Sequence, residues 1–317
     1  MSMHFIKAGL QTSIQDRGRH GLMHQGISNS GAMDSNSMKL ANWLVDKPVD
    51  SPLIEITLIG PKIRFEKPMS IAICGAQFDL YLNGNLVFNN EIIQIKKEDI
   101  LEFGRLQQGA GAYIAFSGEL QLVPLLDSYS THLTAKFGGF DNQKIENQDR
   151  LEITSSTLLS SKTIAAENEV FYSGNYLLRC THSVESERFN QQQSKQFFTQ
   201  RYRVTPECNR MGIKLSGEAL EFEKYFDITS CGLTQGSIQV PPSGQPIISS
   251  VDGQTIGGYP RIANVISADL PILGQLKAGD QINFTLVTQS FAEKTLVEVQ
   301  RFQKNMMSSQ IRDGKLL

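Results

Sequence analysis

Alternation between apolar and other residues dominates the first part of this 317-residue chain, and it limits the folds open to it. Successive side chains of a strand point to opposite faces, so a period of two predicts strands with one buried face. Asn83-Gly84 lies between two such segments and predicts a tight hairpin turn. Many short strands with close turns favour a barrel or sandwich over alternating strands and helices. In this part, strands are predicted over residues 53–59, 62–65, 71–74, 78–82, 91–95, 100–103 and 112–116.

A short turn-and-strand element occurs three times, at Asp99, Asp149 and Asp280. In each case an alternating strand follows the Asp, whose side chain can hydrogen-bond to the backbone that follows it. The recurrence predicts a mainly β protein with two β domains built on similar lines, over residues 1–160 and 170–290. A polar run interrupts the strand pattern between them.

Helices are expected in three places. Asp34 is a residue type that caps helices, and apolar residues follow it at helical spacing until Pro48. Residues 189–198, with three consecutive Gln, form either a helix or an irregular polar turn. Residues 291–317 are expected to form a C-terminal amphipathic helix and a polar tail. The apolar face of that helix is predicted to contain Leu296, Val299 and Phe302.

Composition argues against several classes of function. Hydrophobic residues make up 40% and charged residues 20% of the chain, as in ordinary soluble globular proteins. A formal net charge of -2 gives no general attraction to nucleic acid or to anionic membranes. No apolar run is long enough to span a bilayer, and the N-terminus lacks the apolar core of a secretory signal. We therefore predict a cytoplasmic protein that binds neither nucleic acid nor membrane.

Metal sites are not expected. The four cysteines are widely separated and form no CxxC pair, so free thiols are the simpler interpretation. His20 and His24 are four residues apart, but they lie in a Gly-interrupted segment, which favours surface roles over metal binding. The sequence also contains no P-loop, dinucleotide-binding, HExxH or GxSxG motif.

Two Gly-rich polar segments carry the remaining chemistry. Residues 9–34 combine glycines with both signs of charge, since Asp16, Arg17 and Arg19 share one turn. These charges form either a surface ion pair or an anion clamp, and the residue types leave both open. Residues 232–264 read as short strands joined by tight loops. Their turns place polar side chains beside glycines whose bare backbone lets a ligand approach: Asp252, Gln254, Thr255, Tyr259, Gly257 and Gly258.

Ordinary turns with solvated side chains explain most of the second segment, whereas a ligand site explains its concentration of hydrogen-bonding groups. With Arg210, the two segments offer carboxylates, cations and amide or hydroxyl donors. Such a set suits a small polar ligand with an anionic group, or an oxyanion that develops during a reaction. We expect both segments to wall one charged cavity.

Several stretches of the sequence resemble one family, the biotin-dependent carboxyltransferases, which is also known as allophanate hydrolase subunit 2 or as the C-type subunit of 5-oxoprolinase. The resemblance covers almost the whole chain, and the order of many motifs makes it specific. Tyr129, Asn209 and Gly253 stand where the family pattern has an Arg, an Asp and an Arg, so three charges of that pattern are absent. The matching residues are 12–21, 30–34, 41–42, 53–55, 60–61, 210–212, 236–241, 244–247 and 252–260.

The resemblance implies two cyclophilin-like β-barrel domains and a few short helices. It also implies two partners, a sister small subunit similar to allophanate hydrolase subunit 1 and a third lactam-utilisation subunit. The implied reaction opens 5-oxo-L-proline to L-glutamate with ATP, which is bound by the complex. Nothing in the chain resembles a biotin carboxylase or a biotin-carrier domain, so no biotin is expected on it. The alternatives are a non-catalytic binder of the kinase-inhibitor-antagonist type and a carboxyltransferase acting on urea or a related amide.

The same resemblance suggests roles for individual residues. Asp16 or Asp252 would handle protons, and Arg210 would act with them at the catalytic centre. Arg17 and Arg19 would take anionic groups of the substrate. The remaining predicted substrate-binding and loop-backbone residues are Gln239, Gln254, Thr255, Tyr259, Gly31, Gly257 and Gly258.

Overall fold

The chain divides into two compact units in a computed structural model that describes residues 2–222 and 225–309. Unit 1 contains the residues up to Gly174 together with Gly274–Lys277. Unit 2 contains Asn175–Leu273 and the residues from Ala278 onward. The domain limits 1–160, 170–290 and 291–317 stay a prediction.

Unit 1 consists mainly of strands, with one α-helix among its described residues. Two short 3-10 helices cover Met23–Gln25 and Ala166–Asn168. The other elements, in chain order, are β1 Met3–Lys7, β2 Gln11–Gln15, α1 Ser35–Leu44, β3 Leu53–Thr57, β4 Lys62–Phe65, β5 Met69–Leu82, β6 Asn85–Val87, β7 Ile92–Ile95, β8 Ile100–Phe116, β9 Glu119–Leu120, β10 Arg150–Leu151 and β11 Ile153–Thr154.

Nine of these strands form an antiparallel half-barrel sheet, whose main path is β10-β1-β4-β8-β3-β2. Strand β5 joins this path through β8 and also pairs with β6 and β7. Two predicted pairs of strands are single long strands here: 71–74 with 78–82 as β5, and 100–103 with 112–116 as β8. The separation was wrong because the β5–β8 register shifts between Gly75 and Leu80. Such bulges interrupt the period of two while the strand continues.

Local sequence signals in unit 1 are largely confirmed. The Asp34 side chain accepts from the backbone N–H groups of Asn36 and Ser37 and caps α1 as predicted. Asn83 and Gly84 both have positive φ, at 53° and 82°, and form the predicted hairpin turn between β5 and β6.

The turn aspartates differ from the expectation in one detail. Asp99 Oδ2 accepts from Lys96 N, and Asp149 Oδ2 accepts from Glu146 N, each at 2.7 Å. The bonded backbone therefore precedes the Asp and does not follow it. Each bond closes the turn that leads into the next strand.

Unit 2 contains the second set of strands and two helices. A short 3-10 helix covers Ser186–Arg188, and another, Leu270–Gln275, begins in unit 2 and ends with two residues that belong to unit 1. Its other elements are β12 Asn175–His182, α2 Gln191–Thr199, β13 Tyr202–Val204, β14 Gly212–Ser216, β15 Cys231–Gly232, β16 Ser237–Gln239, β17 Ile247–Ser249, β18 Ile256–Gly257, β19 Arg261–Val265, β20 Gln281–Leu286 and α3 Gln289–Ser309.

Seven strands of unit 2 close into a barrel in the order β12-β19-β16-β17-β14-β13-β20. All its neighbouring strands are antiparallel except β12 and β20, which pair in parallel. Phe197 from α2 stacks on Phe284 with ring centroids 4.7 Å apart, and Tyr202 packs against the same ring. The mainly β prediction is confirmed by this barrel and by the sheet of unit 1.

The two predicted helices of unit 2 are both formed. Asn190 caps α2: its side-chain oxygen accepts from Gln193 N, and Gln193 Oε1 accepts from Asn190 N. This capping box decides for a helix over an irregular turn. Helix α3 continues past Lys304 to Ser309, and the predicted tail beyond it lies outside the described residues. Phe302 is 57% exposed, whereas Leu296 and Val299 are half-buried and Met306 is buried. Phe302 therefore lies outside the buried part of the apolar face to which it was assigned. Across residues 2–222 and 225–309, no helix combines the length and hydropathy that a transmembrane span requires.

Candidate functional site

A cleft of about 420 Å³ opens on the barrel of unit 2. Such a volume is within the usual range for small-molecule sites, roughly 300–1,000 Å³. The cleft contains five predicted site residues and two charged residues that sequence reasoning missed, Glu207 and Lys214. Its lining consists of Glu207, Asn209, Met211, Gly212, Lys214, Leu233, Gln239, Ile247, Ser249, Gln254, Gly257, Gly258 and Tyr259.

Arg210 and Asp252 form a buried ion pair next to this cleft. Arg210 Nε donates to Asp252 Oδ2 at 2.8 Å, and Arg210 Nη2 donates to Asp252 Oδ1 at 3.2 Å. The two side chains are only 4% and 0% exposed. Asp252 N also donates to Arg210 O, and Ser250 N donates to Met211 O. The pair therefore holds together two chain segments whose neighbouring residues line the cleft.

The position of the Gln239 amide in the cleft depends on Gly257. A Cβ at Gly257 would lie 2.6 Å from Gln239 Nε2, so a larger residue there would displace the amide. Gln239 Nε2 donates to Tyr259 O at 3.4 Å, which directs the amide toward the Gly-rich turn. Thr255 is buried, and its carbonyl accepts from Leu233 N at 2.8 Å. Gln254 and Tyr259 are exposed at the cleft.

Lys214 is placed by the alternation of strand β14. Ile213 and Leu215 point into the barrel, and Lys214 between them is exposed and lines the cleft. Within the described residues, neither Lys214 nor Glu207 forms a salt bridge. The sequence signal for Lys214 was its place in the alternating strand that follows Arg210-Met211-Gly212. Solvated lysines on other strands show the same pattern.

Asp16 in unit 1 binds its own chain. Its carboxylate accepts from Gly18 N, Ser128 Oγ, Tyr129 N and Ser130 Oγ, and the residue is 4% exposed. These bonds fix the segment 128–130 beneath the N-terminal loop. A catalytic role for Asp16 stays a prediction.

Arg19 and Gly31 also belong to this buried structure. Arg19 is 1% exposed, and its guanidinium donates to the carbonyls of Leu125 and Ser130 and lies over the ring of Phe137. Gly31 has a φ of +89°, and a Cβ there would lie 2.9 Å from Gly18 N. The substrate role of Arg19 stays a prediction.

Arg17 differs from its neighbours because it is exposed. It lines a separate cleft of about 210 Å³ in unit 1, together with Gly18, His20, Leu22, Leu126 and Asp127. No ion pair of Arg17 occurs in the described part of the chain. One cavity shared by the N-terminal loop and the Gly-rich segment 232–264 stays a prediction, since each segment lines a cleft of its own unit.

Replacing Asp16 with Ala is expected to release residues 126–131, because Tyr129 N and two serine hydroxyls lose their acceptor. Limited proteolysis should cut this segment faster, and amide exchange at Tyr129 should speed up. Asp127→Ala, a change at an exposed neighbour, should do neither. Normal protection of the segment in Asp16→Ala would contradict the structural role.

A second buried network in unit 1 surrounds Asp34. Gln275 Nε2 donates to Asp34 Oδ2 at 2.7 Å and to Gly111 O at 2.9 Å. Gln275 Oε1 accepts from Ala110 N at 3.0 Å and from Gly111 N at 3.2 Å. Burial raises the pKa of Asp34 above its ordinary value, although hydrogen bonds from Ser37 and Gln275 oppose the shift.

Tyr113 connects Asp34 to a second buried carboxylate. Its hydroxyl accepts from Asp34 N at 2.7 Å and donates to Glu55 Oε2 at 2.9 Å. Burial, followed by the charges of Glu55 and Asp34, raises the pKa of Tyr113 well above its ordinary value. The phenol is therefore a fixed neutral donor. Among the described residues, no group of three or more His, Cys, Asp or Glu side chains could hold a metal ion.

Comparison with known proteins identifies the family. The family model for "Carboxyltransferase domain, subdomain A and B" matches residues 25–286. The C-type subunit of 5-oxoprolinase from Escherichia coli (strain K12) is 34% identical over 297 residues, which cover 94% of this chain and 95% of that protein. The protein of the same name from Haemophilus influenzae is 34% identical over 284 residues, which cover 90% and 91% of the two chains.

A solved structure shows the same fold within a larger protein. The crystal structure of the Kluyveromyces lactis urea amidolyase matches with a TM-score of 0.89 and 27% identity. The match covers 97% of this chain but 20% of the other. The resemblance seen in the sequence motifs is thereby confirmed. On the extent of these matches, this chain belongs to the family of the carboxyltransferase domain, subdomains A and B.

Proposed function

We propose that this chain is the C-type subunit of an ATP-dependent 5-oxoprolinase, which converts 5-oxo-L-proline, ATP and water to L-glutamate, ADP and phosphate. The observation that carries the proposal is similarity, at 34% identity over at least 90% of both chains, to two proteins that bear the name of this 5-oxoprolinase subunit. The cleft of unit 2 supports it, because its amide and hydroxyl groups suit a small polar ligand. The enzyme is active only as a complex with the sister small subunit and a third subunit, in the cytoplasm.

The chemistry requires activation of a lactam, whose carbonyl carbon is a weak electrophile because of amide resonance. Transfer of the γ-phosphoryl group of ATP to the lactam oxygen makes that oxygen a leaving group. Water then adds to the carbon, and the ring C–N bond breaks to give an acyl phosphate with a free amino group. A second water hydrolyses this acyl phosphate to L-glutamate and phosphate. In this scheme Gln239, Gln254 and Tyr259 orient the lactam within the cleft. ATP is bound by the complex.

In this proposal, Arg210 and Asp252 position the groups that bind the substrate. Each satisfies the charge of the other in a buried bidentate pair, and the Gly-rich turn begins directly after Asp252. The pair therefore keeps the donors of the turn in place while the substrate binds. Residues beside it supply the contacts to the lactam.

Reconstitution with the two neighbouring subunits tests the function. ATP hydrolysis should depend on 5-oxo-L-proline, and L-glutamate should appear in equal amount to ADP. Omitting this chain should abolish both products. Complex formation without turnover under these conditions would instead favour a non-catalytic binder of the kinase-inhibitor-antagonist type.

Similarity to a urea amidolyase favours one further candidate, a carboxyltransferase that acts on urea or a related amide. That function requires a biotinylated carrier protein to associate with the chain. Adding urea and such a carrier, with its biotin already carboxylated, to the purified chain should then produce carboxylated urea and the decarboxylated carrier. Formation of that product, with no turnover of 5-oxo-L-proline by the complex, would decide for the carboxyltransferase.

A further inference from the structure

We propose that Lys214 binds the carboxylate of the substrate, so that the cleft of unit 2 selects a lactam acid over neutral amides. The inference rests on the proposed function and names the residue that sets its specificity. Lys214 lies in the cleft beside amide groups that can bind a lactam ring, and its ammonium forms no ion pair within the described residues.

The other cations predicted to take anionic groups are placed differently. Arg210 is committed to Asp252 in a buried pair. Arg19 is 1% exposed and donates to backbone carbonyls. Arg17 lines a cleft of unit 1. Among the described residues that line the cleft of unit 2, Lys214 is the one cation.

The backbone of Lys214 is held on both sides, so its side chain starts from a fixed point. In the barrel it pairs with Ile247 of β17, which also lines the cleft. Its carbonyl accepts from Thr205 N at 3.0 Å. Because the strand fixes the backbone, the ammonium can move only within the length of its own side chain. A lysine ammonium binds a carboxylate as a point charge, so this reach suits such recognition.

Glu207 supplies the opposite charge in the same cleft. It repels a carboxylate from its own neighbourhood, and it can accept a hydrogen bond from an N–H group. 5-Oxoproline carries both an anionic carboxylate and a ring N–H, and therefore matches this pair of charges. Urea carries N–H donors but no anionic group, so it offers no counter-charge to Lys214.

Two ligands that differ in the carboxylate test the inference on the full chain. Calorimetric titration should show that 5-oxo-L-proline binds about tenfold tighter than 2-pyrrolidinone, the same ring without the carboxylate; that ratio corresponds to about 1.4 kcal/mol. Lys214→Gln should weaken binding of 5-oxo-L-proline about tenfold and leave binding of 2-pyrrolidinone unchanged. Lys214→Arg, which keeps the charge, should retain most of the preference.

Lys195→Gln is the matched control, because Lys195 is an exposed lysine on α2 outside the cleft. It should leave both affinities unchanged, and raised salt should reduce the preference of the wild-type chain but not its affinity for 2-pyrrolidinone. Equal affinities for the two ligands, an undiminished preference in Lys214→Gln, or no binding of 5-oxo-L-proline to the chain would overturn the inference.

The proposed function can fail separately. Turnover by the complex that is indifferent to Lys214→Gln removes the role of Lys214 and leaves the 5-oxoprolinase assignment intact. Binding that depends on Lys214, together with a complex that never hydrolyses ATP, leaves a lactam-acid site without the reaction.

Discussion

Replacing Arg210 with Ala is expected to lower the free energy of unfolding by about 3–5 kcal/mol, the usual cost of removing one partner from a buried ion pair. Asp252, whose side chain is fully buried, would be left without its guanidinium. Urea unfolding measures the loss, and amide exchange locates it. Exchange should speed up at Ser250 and Asp252, whose amides bind the segment 210–211.

Arg203→Ala provides the matched control, since Arg203 is exposed on the neighbouring strand β13. It should change the unfolding free energy by less than about 0.5 kcal/mol. Changing both partners, Arg210→Met with Asp252→Leu, should cost less than the sum of the single changes, because no charge is left buried. Normal stability in Arg210→Ala with complete loss of turnover would return Arg210 to the catalytic role predicted from the resemblance.

Gln275→Ala is expected to destabilise unit 1 by about 3 kcal/mol at neutral pH. Several buried groups lose their hydrogen-bond partner, and each group left unsatisfied costs roughly 1–3 kcal/mol. The groups affected are Ala110 N, Gly111 N and the carboxylate of Asp34. The single tryptophan of the chain, Trp43, lies on α1 of this unit, so its fluorescence during urea unfolding measures the loss. Gln289→Ala, at an exposed glutamine, should have little effect.

The loss in Gln275→Ala should depend on pH in a defined direction. Burial already raises the pKa of Asp34 above its ordinary 3.8, and the hydrogen bond from Gln275 opposes that shift. Without the bond, the folded state holds the Asp34 proton more tightly still. The variant therefore gains stability relative to wild type as pH falls through the raised pKa of Asp34 toward 3.8. A penalty that grows on acidification would contradict this account of the network.

Local signals in the sequence predicted local structure well. The Asp34 cap and the Asn83-Gly84 turn depend on bonds within a few residues, so their residue types were sufficient. The bulges of β5 were missed because only the partner strand β8 shows that the strand continues across them. The period of two indicates which face of a strand is buried, but it does not name the strand that pairs with it.

For the candidate site, too, the sequence predicted local features but not long-range contacts. The sequence identified the polar Gly-rich turn, and the structure places Gln239, Gln254 and Tyr259 together in one cleft. It did not identify the partner of Asp252, which is 42 residues away, or the three partners of Asp16 that are 112 to 114 residues away. The sequence gives the type of a charged residue but not its burial, and only tertiary structure shows whether its side chain is buried or solvated.

The membership of Gly274–Lys277 in unit 1 has a consequence for biosynthesis. Gln275 is 241 residues beyond Asp34 in the chain, so a ribosome translates the segment Asn175–Leu273 of unit 2 before the acceptor for Ala110 N and Gly111 N is made. Until Gln275 is synthesised, these two amides of the nascent half-barrel lack their side-chain acceptor. A gene fragment that stops at Gly174 would encode a unit permanently lacking this anchor.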